Sequence, residues 1–252
     1  MKPASFYMKN PQLDGGSFNL VGEGEAVLLI HGFTATPSEV RPLGEFLNQN
    51  GYAISAPLLP GHNTHPKDLN NLSWQDWYAV VEQSYLQLRG SHEIVWVGGE
   101  SMGALLAMHL AAKHPEVRGL LLFAPALIVN GLGAAHLARF FIPFVNKKPS
   151  TDKYAWRGYN VYPTGGMVQL LKLQKTVGDE LGNIHQPTLI ISGRLDASVA
   201  PEVPEVLMNA LPNTQNKALV LENSPHVLLL AEEKELAFRA ALDFMREVGS
   251  NV

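Results

Sequence analysis

The pentapeptide Gly99-Glu100-Ser101-Met102-Gly103 sets a serine between the apolar run IVWVG and the helical pattern MGALLAMHLAAKH. A G-x-S-x-G string at a junction of buried strand and helix is a nucleophile elbow, a turn so sharp that the serine takes a strained backbone conformation. The residues two before and two after it must lack bulk, which Gly99 and Gly103 supply. The turn lifts the hydroxyl clear of the sheet, and the helix N-terminus behind it favours developing negative charge.

A serine hydroxyl is a poor nucleophile until a base takes its proton, so a histidine and a carboxylate are required further along. The chain order expected for this turn is Ser, then Asp or Glu after a later strand, then His after the last strand. Thr188 to Asp196 (TLIISGRLD) reads as strand, turn and carboxylate, and Ala218 to His226 (ALVLENSPH) as strand, turn and imidazole. Asp196 is placed to hold His226 in the tautomer that accepts the Ser101 proton, and to stabilise the imidazolium that follows. Because His226 must be neutral to act, activity is expected to rise with pH through the titration of the coupled unit.

An oxyanion needs donors. One is the backbone N–H after the nucleophile, at Met102; the other is expected in the loop after an early strand. His31-Gly32-Phe33-Thr34 follows AVLLI, and a glycine there lets the backbone approach closely, leaving the Phe33 N–H to serve. Among the other histidines, His92, His109, His114, His136 and His185 do not follow a strand after Asp196. His62 and His65, in GHNTHP, have no carboxylate or cysteine cluster to complete a metal site and read as loop residues. Gly131-Leu132-Gly133-Ala134-Ala135-His136 carries the first two glycines of a dinucleotide fingerprint but has His where the third small residue belongs. No metal and no cofactor is expected.

These residues must be positioned by a repeating frame. Short apolar runs bounded by Gly, Pro or Asn alternate with longer amphipathic segments, the mark of βα units and a mostly parallel sheet. Strands are expected at Ala26 to Ile30, Tyr52 to Ala56, Ile94 to Gly98, Gly119 to Phe123, Thr188 to Ser192 and Ala218 to Leu221. Helices are expected at Pro37 to Asn50, at Ser73 to Leu88 with Ser73 as N-cap, and at Met102 to His114. A last helix, Glu232 to Val248, is expected to bury the stripe Leu236, Ala240 and Phe244.

Between Leu127 and Ile184 the rhythm breaks, with short helical patterns, three prolines and no clear strand. That stretch holds Arg139, Lys147, Lys148, Lys153, Arg157, Lys172 and Lys175 against Asp152, Asp179 and Glu180, a balance of +4 in a chain whose net charge is −4. It reads as a small helical cap, 127–183, inserted over the ligand edge of a core formed by 1–126 and 184–252.

Composition limits the alternatives. The 252 residues include no cysteine, which excludes a disulfide scaffold and a thiol nucleophile. The slightly acidic balance argues against nucleic acid as a partner. No run of ~18 apolar residues offers a membrane span, so no stable membrane insertion is expected. The opening MKPASFYMKNPQLDGG lacks a secretory apolar stretch, and a cytoplasmic monomer or homodimer is expected.

HGFTATP, GHNTHPKDL, GESMG, GRLDASVAP and SPHVLLL, in this order, make the chain resemble bacterial carboxylesterases and monoacylglycerol lipases of the α/β-hydrolase superfamily. The resemblance covers nearly the whole length. It implies an α/β-hydrolase fold with a small helical cap, a Ser101, Asp196, His226 triad, oxyanion donors at Phe33 and Met102, and a short- to medium-chain ester as the small-molecule substrate. Two positions depart from many relatives: Glu100 stands where an apolar residue is usual, and Asn63 where a glycine is. Relatives with an aspartate nucleophile are disfavoured by Ser101. Thioesterase, amidase and carbon–carbon bond hydrolase activities use the same triad, and a slow-turnover ligand receptor keeps the same residues.

Overall fold

The computed structural model describes residues 2–147 and 154–250. Lys148, Asp152 and Lys153, counted above in the charge of the insertion, lie outside the described residues. In chain order the strands are β1 (Met8–Lys9), β2 (Phe18–Leu20), β3 (Ala26–Ile30), β4 (Ala53–Ala56), β5 (Val95–Glu100), β6 (Leu120–Phe123), β7 (Phe144–Asn146), β8 (Gly158–Tyr159), β9 (Val161–Pro163), β10 (Thr188–Gly193) and β11 (Lys217–Leu221). The helices are α1 (Arg41–Gln49), α2 (Trp74–Arg89), α3 (Met102–Lys113), α4 (Ala135–Ala138), α5 (Thr164–Glu180), α6 (Val203–Ala210) and α7 (Lys234–Ser250).

The main sheet runs β11-β10-β6-β5-β3-β4-β2, parallel throughout except for the antiparallel edge strand β2. Alternate residues of each strand enter opposite cores. Leu28, Ile30, Val97, Leu120, Leu122 and Ile190 pack on one face with Val81, Tyr85, Leu173 and Val177, from α2 and α5, and with α3. Val27, Leu29, Trp96, Leu121, Phe123 and Ile191 pack on the other with Leu43 and Leu47 of α1 and Phe238, Ala241 and Met245 of α7. Burial on both faces is why these strands read as unbroken apolar runs. Each such side chain withdrawn from water contributes about 1.5–3 kcal/mol.

The six expected strands are all present, with ends shifted by a residue or two. The first expected helix is divided into a tight turn at Pro37–Glu39 and α1, which begins after Val40. Ser73 caps α2 through a reciprocal pair, its hydroxyl accepting from the Asp76 N–H while the Asp76 carboxylate accepts from the Ser73 N–H at 2.7 Å. In α7 the buried stripe is Ala237, Phe238, Ala241, Phe244, Met245 and Val248, while Leu236 is exposed. The buried face is centred on Ala241 and Met245, so Phe244 lies on it, Ala240 at its edge, and Leu236 falls on the far side of the helix.

The stretch after β6 also holds strands that periodicity did not announce. β7 pairs antiparallel with β9, and β8 pairs with β1 near the N-terminus. Asn10 Nδ2 donates to the Trp156 carbonyl at 2.7 Å, and Arg157 Nη1 donates to the carbonyls of Pro11 and Leu13. α5 lies between β6 and β10 in the chain and packs on α3 and α2. Among the described residues, no helix is long and apolar enough to cross a membrane.

Candidate active site

Ser101 stands at the end of β5 with φ 58° and ψ −113°, a left-handed conformation that costs of order 1–3 kcal/mol. The surrounding backbone holds it there: its N–H donates to the Phe123 carbonyl at 2.8 Å and its carbonyl accepts from the Ala126 N–H at 3.2 Å. A Cβ on Gly99 would lie 2.4 Å from the Gly103 carbonyl carbon, and one on Gly103 would lie 2.1 Å from the Ile30 oxygen. Both glycines are therefore needed for close backbone packing.

Loops leaving β10 and β11 bring the other two candidates to this point. His226 Nε2 lies 2.9 Å from Ser101 Oγ, and His226 Nδ1 lies 2.7 Å from Asp196 Oδ2. The other Asp196 oxygen accepts from the N–H groups of Ser198 and Val199, at 2.7 and 3.0 Å. Burial by itself would raise the Asp196 carboxyl, but its hydrogen bond to His226, that ring's charge and the two backbone donors hold it below the usual range. A carboxylate on Nδ1 leaves Nε2 free to accept the Ser101 proton. The Asp196 side chain is 6% exposed and that of His226 is 26%, so the imidazole forms the open end of the chain of contacts. Glu233 anchors the histidine loop, accepting from the Asn223 N–H at 2.8 Å and the Ser224 hydroxyl at 2.7 Å.

The loop after β3 approaches Ser101 closely, and a Cβ on Gly32 would lie 3.4 Å from Ser101 Cβ. His31 Nε2 accepts from the Leu59 N–H, so its proton sits on Nδ1, which donates to the Gly32 carbonyl at 2.9 Å. Burial pushes this imidazole down to about 4 and keeps it neutral. Gly32 N–H donates to Glu39 Oε2 at 2.7 Å. Thr34, at φ 66°, donates its hydroxyl to the Phe33 carbonyl and accepts from Lys147 Nζ at 2.6 Å. The Tyr159 N–H donates to the Thr34 carbonyl at 2.8 Å, and the Phe33 ring stacks on Tyr162 with centroids 6.4 Å apart. Among the described residues, the N–H groups of Phe33 and Met102 donate to no other protein group.

Glu100, the departure next to the nucleophile, is buried and ties the elbow to the histidine loop. Its Oε1 accepts from the N–H groups of Leu228 and Leu229 at 2.6 and 3.3 Å. Nothing in the string GESMG foretold that partner, and Glu39 and Glu233 carried no motif at all.

The remaining candidates fall away from this centre or into its supports. His62 is buried against His31, its Nδ1 near the Leu59 and Pro60 carbonyls, and His65 accepts from the Lys67 N–H. Among the described residues no cluster of His, Cys, Asp and Glu could hold a metal ion. Gly131 opens a 3-10 turn at Leu132–Ala134 followed by the four-residue α4, not the strand-to-helix turn a dinucleotide needs.

The serine aminopeptidase S33 family matches residues 23–234, which is most of the chain. The chain belongs to this α/β-hydrolase family. The hydrolase is 32% identical over 225 residues to a thermostable monoacylglycerol lipase of Bacillus sp. strain H-257, a match covering 86% of this chain and 89% of that one. It is 27% identical over 237 residues to a carboxylesterase of Bacillus subtilis, covering 92% and 96%. A solved structure from the metagenome-derived lipolytic enzymes LipS and LipT superposes with a TM-score of 0.88 at 28% identity, covering 92% of this chain and 98% of that one. The hydrolase is thus an enzyme of a bacterial esterase and lipase family.

Proposed function

We propose that this hydrolase cleaves carboxylic esters of short- to medium-chain acyl groups, monoacylglycerols among them, through an acyl-enzyme on Ser101. The observation that carries the reading is the continuous line of contacts from Asp196 through His226 to Ser101, 2.7 and 2.9 Å long. His226 takes the serine proton as Ser101 Oγ attacks the ester carbonyl, and Asp196 stabilises the imidazolium. The negative charge that forms on the carbonyl oxygen is received by the Phe33 and Met102 N–H groups. His226 then gives its proton to the departing alcohol, and water repeats the sequence on the acyl-enzyme. No step calls for a metal or cofactor.

The choice of ester falls to residues 127–183, proposed as the cap. Tyr162 stacks on Phe33, and Lys147 and Tyr159 both bond Thr34, so this segment borders the oxyanion loop. Within it α5 doubles as the helix that crosses from β6 to β10, and its first turn meets the Phe33 ring, where a Cβ on Gly166 would lie 2.8 Å from that ring. The relatives named above as a monoacylglycerol lipase and a carboxylesterase support an ester substrate.

A paired assay tests the reading: wild type and Ser101→Ala on nitrophenyl esters of increasing acyl length, then on a monoacylglycerol. Sustained turnover in the wild type and its loss in the variant are expected. Turnover that survives the substitution, or wild type that binds esters without turning over, contradicts the proposal.

A further inference from the structure

Hydrogen bonds from the insertion grip the loop that carries Phe33. The Tyr159 N–H donates to the Thr34 carbonyl at 2.8 Å, Thr36 Oγ1 donates to the Arg157 carbonyl at 2.9 Å, and the Arg157 N–H donates to Ser38 Oγ at 3.0 Å. These contacts use the main chain of 157–159, and the two segments run so close that a Cβ on Gly158 would lie 2.3 Å from the Thr34 oxygen. One further bond comes from a side chain, that of Lys147, which the reaction as written does not use.

Lys147 follows β7, where its N–H donates to the Asn160 carbonyl at 3.1 Å. Its Nζ lies 4.9 Å from the centre of the Trp156 ring and 4.8 Å from that of Tyr162, and it donates to Thr34 Oγ1 at 2.6 Å. The direction of that bond is fixed, since the single hydroxyl proton of Thr34 goes to the Phe33 carbonyl. An ammonium and a neutral amine both carry the N–H it needs. The line from Lys147 through Thr34 ends on the residue whose N–H is the proposed oxyanion donor.

The loop has reason to need such a hold. Thr34 is buried at φ 66°, a left-handed conformation that is costly for a β-branched residue. The Phe33 N–H belongs to the planar peptide whose oxygen is the Gly32 carbonyl, and His31 Nδ1 holds that oxygen at 2.9 Å. The Thr34 hydroxyl holds the next peptide by its Phe33 carbonyl. With both flanks tied, only the two backbone rotations of Phe33 itself are left to aim the donor.

We infer that Lys147 is a positioning residue for the oxyanion donor: through the Thr34 hydroxyl it holds Phe33 so that its N–H meets the negative charge formed on the carbonyl oxygen. The inference rests on the ester-hydrolysis reading above, and it gives the insertion a part in the chemical step as well as in the choice of ester.

Lys147→Met keeps an unbranched chain against the two rings but has no donor. Its kcat on a short nitrophenyl ester is expected to fall about tenfold with KM within about twofold, because a displaced donor is missed chiefly in the transition state. Thr34→Val keeps the branched shape, breaks the line and is expected to lose at least as much, while Thr34→Ser recovers most of that loss. The double variant Lys147→Met, Thr34→Val is expected to lose no more than Thr34→Val alone. A raised KM with unchanged kcat in Lys147→Met, or losses that multiply in the double variant, overturns the inference. If Lys147→Met does not fold, full kcat in Thr34→Val overturns it alone.

A second readout does not depend on turnover. With a trifluoromethyl ketone the Ser101 oxygen bonds to the ketone carbon, the carbonyl π pair moves onto its oxygen, and the serine proton goes to His226, leaving an oxyanion for the same donors. Lys147→Met is expected to weaken this adduct about tenfold and to leave binding of the matching methyl ketone unchanged. Equal weakening of both, or of neither, overturns the inference. Failure of the ester reading is distinguishable, because wild type would then neither turn over esters nor form the adduct.

Discussion

Leu120-Leu121-Leu122-Phe123 and Leu137-Ala138-Arg139-Phe140-Phe141-Ile142 are both rich in large apolar residues, yet they end in opposite places. The first is β6, with no solvent exposure at any of its four side chains, while Phe140 and Phe141 are 69% and 83% exposed. β6 has neighbours on both sides, β5 and β10, and helices on both faces of its sheet. The second stretch runs from the end of the four-residue α4 to Pro143, outside any strand and before the short pair of β7 with β9, so no sheet neighbour covers it. An apolar run predicts burial when a repeating βα frame gives its backbone partners; outside that frame it predicts little. The same division separates the proposed chemistry from the proposed selection, since Ser101, Asp196 and His226 all follow the ends of framed strands, and the proposed pocket wall comes from the unframed segment.

The difference can be broken at several points. Asp196→Asn keeps the shape of the framed edge but leaves His226 in the wrong tautomer, and kcat is expected to fall by about 10³–10⁴ while KM changes little. A raised KM with kcat unchanged on a short ester would place Asp196 in binding instead. In the insertion, Tyr162→Ala is expected to shift the preference between short and medium acyl chains by about tenfold, with kcat on the shortest ester within about threefold. A chain-length profile unchanged by that variant would remove the selection role from this segment.

Stability gives the same contrast at smaller scale. Leu121→Ala in the framed sheet is expected to cost about 2–5 kcal/mol in denaturant unfolding. Phe141→Ser, at an exposed position, is expected to change it by less than about 0.5 kcal/mol. A large loss from Phe141→Ser would show that the apolar surface of the insertion is covered in solution.

A pH effect concerns Lys147, which lies over the Trp156 and Tyr162 rings and which burial pushes down to about 7 from the ordinary 10.5. Between those values the unfolded chain keeps a proton that the folded chain lacks, so folding gains as pH rises from about 7 toward 10. Thermal unfolding should show that gain in wild type and not in Lys147→Met; parallel curves would contradict it.

The proposed triad was legible because each member stands where an apolar run stops, and the elbow adds a glycine spacing fixed by backbone contact. The supports were not. Glu39 reaches Gly32 from a three-residue turn, Glu233 reaches Ser224 across a loop, and Glu100 finds its partners 128 and 129 residues away. Such contacts depend on how the loops close, which no local pattern encodes. β1, β7, β8 and β9 are two or three residues long, too short for alternation to register. Leu236 differs for another reason: its spacing from Ala240 and Phe244 is helical, but α7 buries the face centred on Ala241 and Met245.

The account turns most directly on whether Ser101 carries the acyl group. Acid-quenched wild type, mixed briefly with a nitrophenyl ester and digested, is expected to show by mass spectrometry one added acyl group on the peptide containing Ser101, lost on longer incubation. An acyl group on another residue, or turnover with no adduct under conditions where a nitrophenolate burst is seen, would contradict it.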